Sequence, residues 1–256
     1  MKKIIKKIIV LVILLFIVGL TFAIKSGYDV YKEAIAEKSI EQKINEIKSE
    51  KKNYTYIGDL PDKYVPAVLS VEDVRFYKHH GIDLISIARA IDTDIKTFSF
   101  AEGGSTITQQ LAKNVYFSQK KELTRKIAEI FMAREFEKNC SKEEILELYI
   151  NTIYYGDGYY SVYDAAMGYF NKEPKDLDLN EITLLVGIPN APSKYSPSVN
   201  PELSKQRQKQ VIKKMLKYNY LTNEEAEELY TKIGKIYLNE INKLLYIQKE
   251  MLYVGV

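Results

Sequence analysis

Three segments hold the side chains best suited to chemistry. The first is VPAVLSVEDVRFYKHHG, residues 65–81. Read as a helix, it places Val65, Leu69, Glu72, Phe76 and His79 on one stripe, at i, i+4, i+7, i+11 and i+14. Glu72 then stands among apolar neighbours, where a carboxylate loses hydration and becomes a candidate general base or acid. The same residue also reads as an ordinary surface glutamate at a fraying helix end. The second segment is AEGGSTITQQLAKN, 101–114, where Gly103 and Gly104 permit unusual backbone angles and Thr106-x-x-Gln109 is a capping box that starts a helix at once. N–H groups behind such a turn suit a phosphate, and Lys113 lies one turn beyond Gln109 on the same face. Gly-Gly before a capped helix is otherwise an ordinary turn. The third is TRKIAEIFMAREFEKN, 124–139, in which Arg125 and Lys126 precede Glu129 by four and three residues while Met132, Ala133 and Phe136 follow it. A glutamate is thus bracketed by cations on one side and apolar groups on the other. Taken alone, this is also a surface ion pair contributing about 0.3–0.5 kcal/mol.

The elements that must position these residues read as helices. Lys2, Lys3, Lys6 and Lys7 precede an uncharged run from Ile8 to Ile24, which at 1.5 Å per residue spans roughly 26 Å; Ile4, Ile5 and snorkelling lysines make up the rest of a bilayer core. Only Lys25 follows closely, so the charge bias predicts a cytoplasmic N-terminus and a single-pass type II protein with its body outside. A cleaved signal peptide is the competing reading, but its apolar stretch is usually about 7–15 residues and no clear A-x-A site follows here. Residues 1–25 are therefore read as cytoplasmic lysines and anchor. Residues 26–57, rich in Lys, Glu and Ile with Tyr31, Ile35, Ile40, Ile44 and Ile47 at imperfect helical spacing, are read as a solvated helical stalk. After Gly58 and Pro61 the composition changes, so 58–256 is the expected globular part. Ser141-x-x-Glu144 and Thr222-x-x-Glu225 are further capping boxes, with Leu221 a staple candidate for the second. PNAPSKYSPSVNP is a loop leading to a C-terminal helical segment from about Leu203. Strand-like alternation is scarce. The expected class is mainly α, one domain with a smaller lobe.

The net charge of +3 includes the four lysines ahead of the apolar run, and the remainder sums to −1, which is no footprint for nucleic acid. Cys140 is the single cysteine and excludes an intramolecular disulfide. The two histidines, His79 and His80, are adjacent and far from zinc-ligand spacing.

Taken together, the three segments resemble the peptidoglycan glycosyltransferases of family 51, the lysozyme-like domain of bifunctional penicillin-binding proteins and of monofunctional transglycosylases. Glu72, Asp73, Phe76, His79 and Gly81 meet the E-D-x-x-F-x-x-H-x-G pattern. Gly103 through Gln110, with Lys113 and Asn114, meet G-G-S-T-I-T-Q-Q-x-x-K-N. Arg125, Lys126 and Glu129 meet R-K-x-x-E, and ILELYINTIYYGDGYYSVYDAAMGYF, 145–170, looks like the next block. The likeness covers about residues 58–220.

The resemblance implies a mainly α, lysozyme-like glycosyltransferase domain with a small jaw lobe, preceded by one N-terminal transmembrane helix. It implies polymerisation of lipid II into glycan strands, with β-1,4 bonds formed by inversion and polyprenyl pyrophosphate released. Glu72 is then the general base and Glu129 the second catalytic carboxylate, orienting cations, donor or a divalent ion. Lys113, Arg125 and Lys126 stabilise the pyrophosphate. Ser105, Thr106, Gln109, Gln110 and Asn114 line the donor side, while Asp73 and Phe76 support the acceptor loop and the base. No protein ligand set specifies a metal, although a divalent cation, Mg or Mn, is compatible with the pyrophosphate. The expected partners are lipid II, the growing strand, membrane lipid and other cell-wall synthesis proteins. Lys120 and Lys121 stand where relatives often carry an arginine, and Ala128 where some carry a lysine, so donor affinity is expected to differ. Two other readings compete: a lysozyme-like enzyme that cleaves peptidoglycan, and a non-catalytic cell-wall scaffold. Ser49-x-x-Lys52 and Ser118-x-x-Lys121 match a penicillin-binding Ser-x-x-Lys only by letter, because no Lys-Thr-Gly follows, so a bifunctional chain is not expected.

Overall fold

The computed structural model describes residues 2–50, 53–97, 103–117 and 122–234. Its described residues are helical or irregular, with no strand, as the sequence predicts. Eleven α-helices are bounded within them: α1 Lys2–Glu37, α2 Ile40–Glu50, α3 Tyr64–Glu72, α4 Leu84–Thr97, α5 Ile107–Tyr116, α6 Leu123–Asn139, α7 Lys142–Thr152, α8 Val162–Phe170, α9 Leu179–Leu185, α10 Pro192–Tyr195 and α11 Pro201–Lys217. The chain divides into two units. One comprises 1–54 and 75–153, the other 55–74 and 154–256.

In the first unit α6 is the central helix, packed by α1, α2, α5 and α7. Its inner face, Ala128, Met132, Ala133 and Phe136, is fully buried with Ile107, Leu111 and Ala112 of α5 and Ile145, Leu148 and Tyr149 of α7. Small residues at 112, 128 and 133 let these helices approach closely. Cys140 follows α6, and burial, with Glu144 nearby, pushes its thiol up to about 12, so it stays protonated.

α1 is long and apolar enough to cross a membrane, and its residues 4–18 are exposed throughout. The boundary drawn at 25/26 falls inside this unbroken helix, and the expected solvated stalk is only partly solvated. Gly27, Tyr31 and Ile40 are buried, because α1 and α2 press one side onto α6, which spacing alone cannot show. The break between α1 and α2 has its own cap: Ser39 and Gln42 exchange side-chain and backbone hydrogen bonds at 2.9 and 3.2 Å.

In the second unit α3 packs on α11 and α9. Tyr64, Ala67, Val68, Leu69 and Val71 are all buried, so α3 has no single apolar stripe. The helix also stops at Glu72. Asp73 turns out of it at φ −158° while its N–H still reaches the Leu69 carbonyl. The expected stripe through Phe76 and His79 is therefore corrected: the chain crosses to the first unit after Val74, and Phe76 opens a separate short turn, Phe76–Lys78. In the proline-rich loop, Pro192 and Pro201 begin α10 and α11, where a missing N–H costs nothing, and Asn200 caps α11 by accepting from the Leu203 N–H. The Thr222–Glu225 box forms in full ahead of a helical run over 223–234.

Candidate active site

The first unit gathers the cations. Glu129 sits on the inner face of α6 with 1% of its surface exposed. One turn earlier, Arg125 pairs with its Oε1, and Lys126 Nζ lies 2.9 Å from its Oε2. The same ammonium donates to Ser105 Oγ at 2.7 Å, which ties α6 to the residue just ahead of the α5 cap. Burial pushes the Lys126 ammonium down to about 8, and the charges of Arg125 and Lys113 push in the same direction. Lys113, on α5, therefore shares one electrostatic environment with the two α6 cations. Among the described residues, Lys113, Arg125 and Lys126 gather at the buried carboxylate of Glu129, a concentration of cations suited to a polyanion.

The capping box expected at the start of α5 forms. Thr106 is the N-cap of α5, with its side chain accepting from the Gln109 N–H at 3.1 Å and Gln109 Oε1 accepting from the Thr106 N–H at 3.2 Å. Thr106 Oγ1 also donates to the Gly81 carbonyl at 2.8 Å. Thr106, Ile107, Thr108 and Gln109 are all buried. The structure thus gives Thr106 and Gln109 the work of a cap, while Ser105, Gln110, Lys113 and Asn114 are half-buried. Tyr149 OH approaches Gln110 Oε1 at 3.5 Å.

Gly81 explains its own place in the motif. It has φ +83°, and a Cβ there would come within 3.1 Å of the Ala133 carbonyl carbon and oxygen on α6. Phe76 is fully buried, edge-on to Tyr77 and His79, with Lys142 Nζ 4.4 Å above its ring. It is a packing residue of the first unit. A clip the sequence did not reveal holds the same loop: Asp83 accepts from Arg75 Nε at 2.9 Å and Ser86 Oγ at 2.6 Å. Burial alone would raise the Asp83 carboxyl, but these bonds hold it below the usual range.

Glu72 and Asp73 belong to the second unit. Glu72 is the last residue of α3 and half-buried, where the negative end of the helix faces its carboxylate. Such a placement works against stability and is common where chemistry needs it. Asp73, buried, is the α3 C-cap. Tyr155 is fully buried with its hydroxyl 2.8 Å from that of Tyr64. Burial drives its phenol far up, the Tyr64 bond opposes this, and the Glu72 charge adds to the rise, so Glu72 and this tyrosine pair share one environment. Nothing in the spacing of 64 and 155 could have announced it.

Lys120 and Lys121 lie outside the described residues. Ala128 is fully buried on α6, so it leaves no gap in the cluster.

The fold and these motifs define a glycosyltransferase domain: a model of the transglycosylase family matches residues 38–216, and the chain belongs to that family. Penicillin-binding protein 1A of Neisseria lactamica is 45% identical over 70% of this chain and 22% of its own length. Penicillin-binding protein 1F of Bacillus subtilis (strain 168) is 39% identical over 88% of this chain and 33% of its own. The crystal structure of penicillin-binding protein 1A from Haemophilus influenzae aligns with 69% of this chain and 17% of its own at 22% identity and a TM-score of 0.41. The chain thus spans between about a sixth and a third of these relatives.

Proposed function

We propose that this chain polymerises lipid II, a disaccharide-peptide joined through pyrophosphate to a polyprenyl chain, into peptidoglycan glycan strands at the outer membrane surface. The observation that carries this reading is the gathering of three cations, Lys113, Arg125 and Lys126, at buried Glu129. A leaving pyrophosphate needs charge stabilisation more than it needs an acid. An enzyme that cleaves finished glycan meets no phosphate, and a scaffold has no use for desolvated cations.

Glu72 takes the proton of the acceptor's 4-hydroxyl as that oxygen attacks the donor's anomeric carbon. The bond to pyrophosphate breaks, its electron pair leaves on the phosphate oxygen, and the α linkage becomes a β-1,4 glycosidic bond by inversion. Lys113, Arg125 and Lys126 meet the developing charge, and Glu129 keeps the latter two aimed. Ser105, Gln110 and Asn114 serve the donor side. No step is assigned to Mg or Mn, because Arg125 and Lys126 already occupy the two oxygens of Glu129. The deciding experiment is gel analysis of products from labelled lipid II, with and without a phosphoglycolipid inhibitor of the family. Ladders of glycan that vanish with inhibitor support the reading; cleavage of purified sacculi without ladders would overturn it.

The lowered Lys126 gives a pH signature. The amine is cationic below about 8 and neutral above it, so kcat/KM is expected to fall as pH rises through about 8. Bound pyrophosphate favours the charged form, which moves the same limb upward in kcat. Lys126→Arg keeps its charge throughout and should erase the limb in a pH–rate series.

The anchor supports the same reading, since the donor's polyprenyl tail lies in a bilayer. A chain beginning at residue 26 is expected to keep some activity but to use lipid II less efficiently in bilayers. Equal efficiency, measured as kcat/KM in vesicles, would reduce residues 1–25 to a tether.

A further inference from the structure

The helix with the apolar run does not stop at the end of that run. α1 continues to Glu37 and packs along α6, the helix that carries Arg125, Lys126 and Glu129. The two helices approach closely at Gly27, three residues beyond Ile24. A Cβ there would stand 2.5 Å from Ile127 Cγ2, 2.6 Å from Ile127 Cβ and 2.9 Å from the Thr124 carbonyl oxygen. Ile127 Cβ sits at the branched base of its side chain and the Thr124 oxygen is backbone, so no flexible tip can swing clear. Restoring ordinary carbon contact means moving α6 by about 1 Å. Gly19, within the apolar run, meets nothing within 4 Å, so this closeness belongs to the site and not to glycines of α1 generally.

The rest of the seam orients the contact. Tyr28 and Tyr31 set their rings 5.2 and 5.8 Å from that of Phe131, and the Tyr31 hydroxyl donates to Glu135 at 3.2 Å. Gly27 pairs with 124 and 127, and Tyr31 with 131 and 135, so the two helices run in the same direction. Gly27 therefore sets the gap at the first turns of α6, where Arg125 and Lys126 project. Those turns reach outside α6 through the 2.7 Å bond from Lys126 to Ser105, which a shift of about 1 Å breaks.

We infer that Gly27 is a positioning residue for the cationic cluster: having no side chain, it lets the membrane helix seat on the start of α6 and so holds Lys126 against Ser105. The inference rests on the proposed function only for its effect on turnover. Its geometric content stands by itself.

The test uses the full-length protein in bilayer nanodiscs, with Gly27→Ala, Ile127→Gly and the double variant. Competitive acylation of the Lys126 amine across pH reads its titration without any need for activity. Gly27→Ala is expected to move that titration from about 8 toward the ordinary 10.5, as the displaced amine regains water and distance from Lys113. Ile127→Gly, which empties the contact from the other side, moves it in the same direction by less. The double variant takes both Ile127 atoms out of the path of the methyl added at position 27 and leaves only the 2.9 Å approach to the Thr124 oxygen, so it returns most of the shift. Lipid II polymerisation by Gly27→Ala should fall by about 10²-fold, mainly in kcat, and recover in large part in the double variant. A mere loss of folded protein scales a pH–rate profile without moving its limb. An unchanged Lys126 titration in Gly27→Ala, or in Ile127→Gly should the first not fold, overturns the positioning role, as does a shift the double variant fails to reverse. If the wild type makes no glycan while its Lys126 still responds to Gly27→Ala, the functional reading falls and the positioning role stands.

Discussion

Glu72→Gln is expected to leave a folded protein that makes no detectable glycan from lipid II. The amide keeps the size of the carboxyl but cannot take up the acceptor's proton, and loss of a general base costs typically about 10²–10⁴ in rate. The fold should be indifferent or gain slightly. Glu72 ends α3, and removing a negative charge from a helix C-terminus relieves an unfavourable interaction of about 0.3–1 kcal/mol. Initial rates from labelled lipid II and a thermal melt check both halves. A rate within about tenfold of wild type would remove Glu72 from the role of base. A large drop in melting temperature would mean that the residue is structural.

Glu129→Gln should do the opposite to stability and nearly the same to activity. The carboxylate is almost fully buried, and its loss takes the α6 counter-ion from Arg125, whose side chain is 14% exposed. Breaking a buried pair by removing one partner costs about 3–5 kcal/mol, because the remaining charge stays desolvated. Lys126, with a side chain 40% exposed, can turn toward water and should add little. Turnover should fall by about 10²–10³-fold as the cations lose their aim at the leaving group. Adding Arg125→Met separates the two effects. The double variant removes the guanidinium together with its counter-ion and is expected to recover most of the melting temperature and none of the activity. Recovery of both would make Glu129 a purely structural counter-ion.

The features that sequence reading captured are those whose physics is local. The membrane-length run at 8–24 needs only its own composition. Thr106–Gln109 and Thr222–Glu225 close their capping boxes within a single turn, and Ser141 caps α7 from three residues away. Arg125, Lys126 and Glu129 meet because i,i+3 and i,i+4 positions on one helix must meet. The stripe drawn through Glu72, Phe76 and His79 failed for a related reason. It assumed that α3 continued, whereas the helix is buried all round and ends where the chain leaves one unit for the other.

The sequence by itself therefore determined that the chain has a membrane-length helix, helical caps and a glutamate set between two cations, because each depends on neighbours a few residues apart. Only the tertiary structure decided what those pieces do to one another. It tied the α5 cap to Gly81 through the Thr106 hydroxyl and set Ser105 against Lys126. It placed Tyr155 beside Tyr64 near Glu72, and pressed Gly27 against Ile127. Such contacts join residues tens to a hundred positions apart, and each is fixed by how closely whole helices can pack, a property that no single stretch of sequence contains.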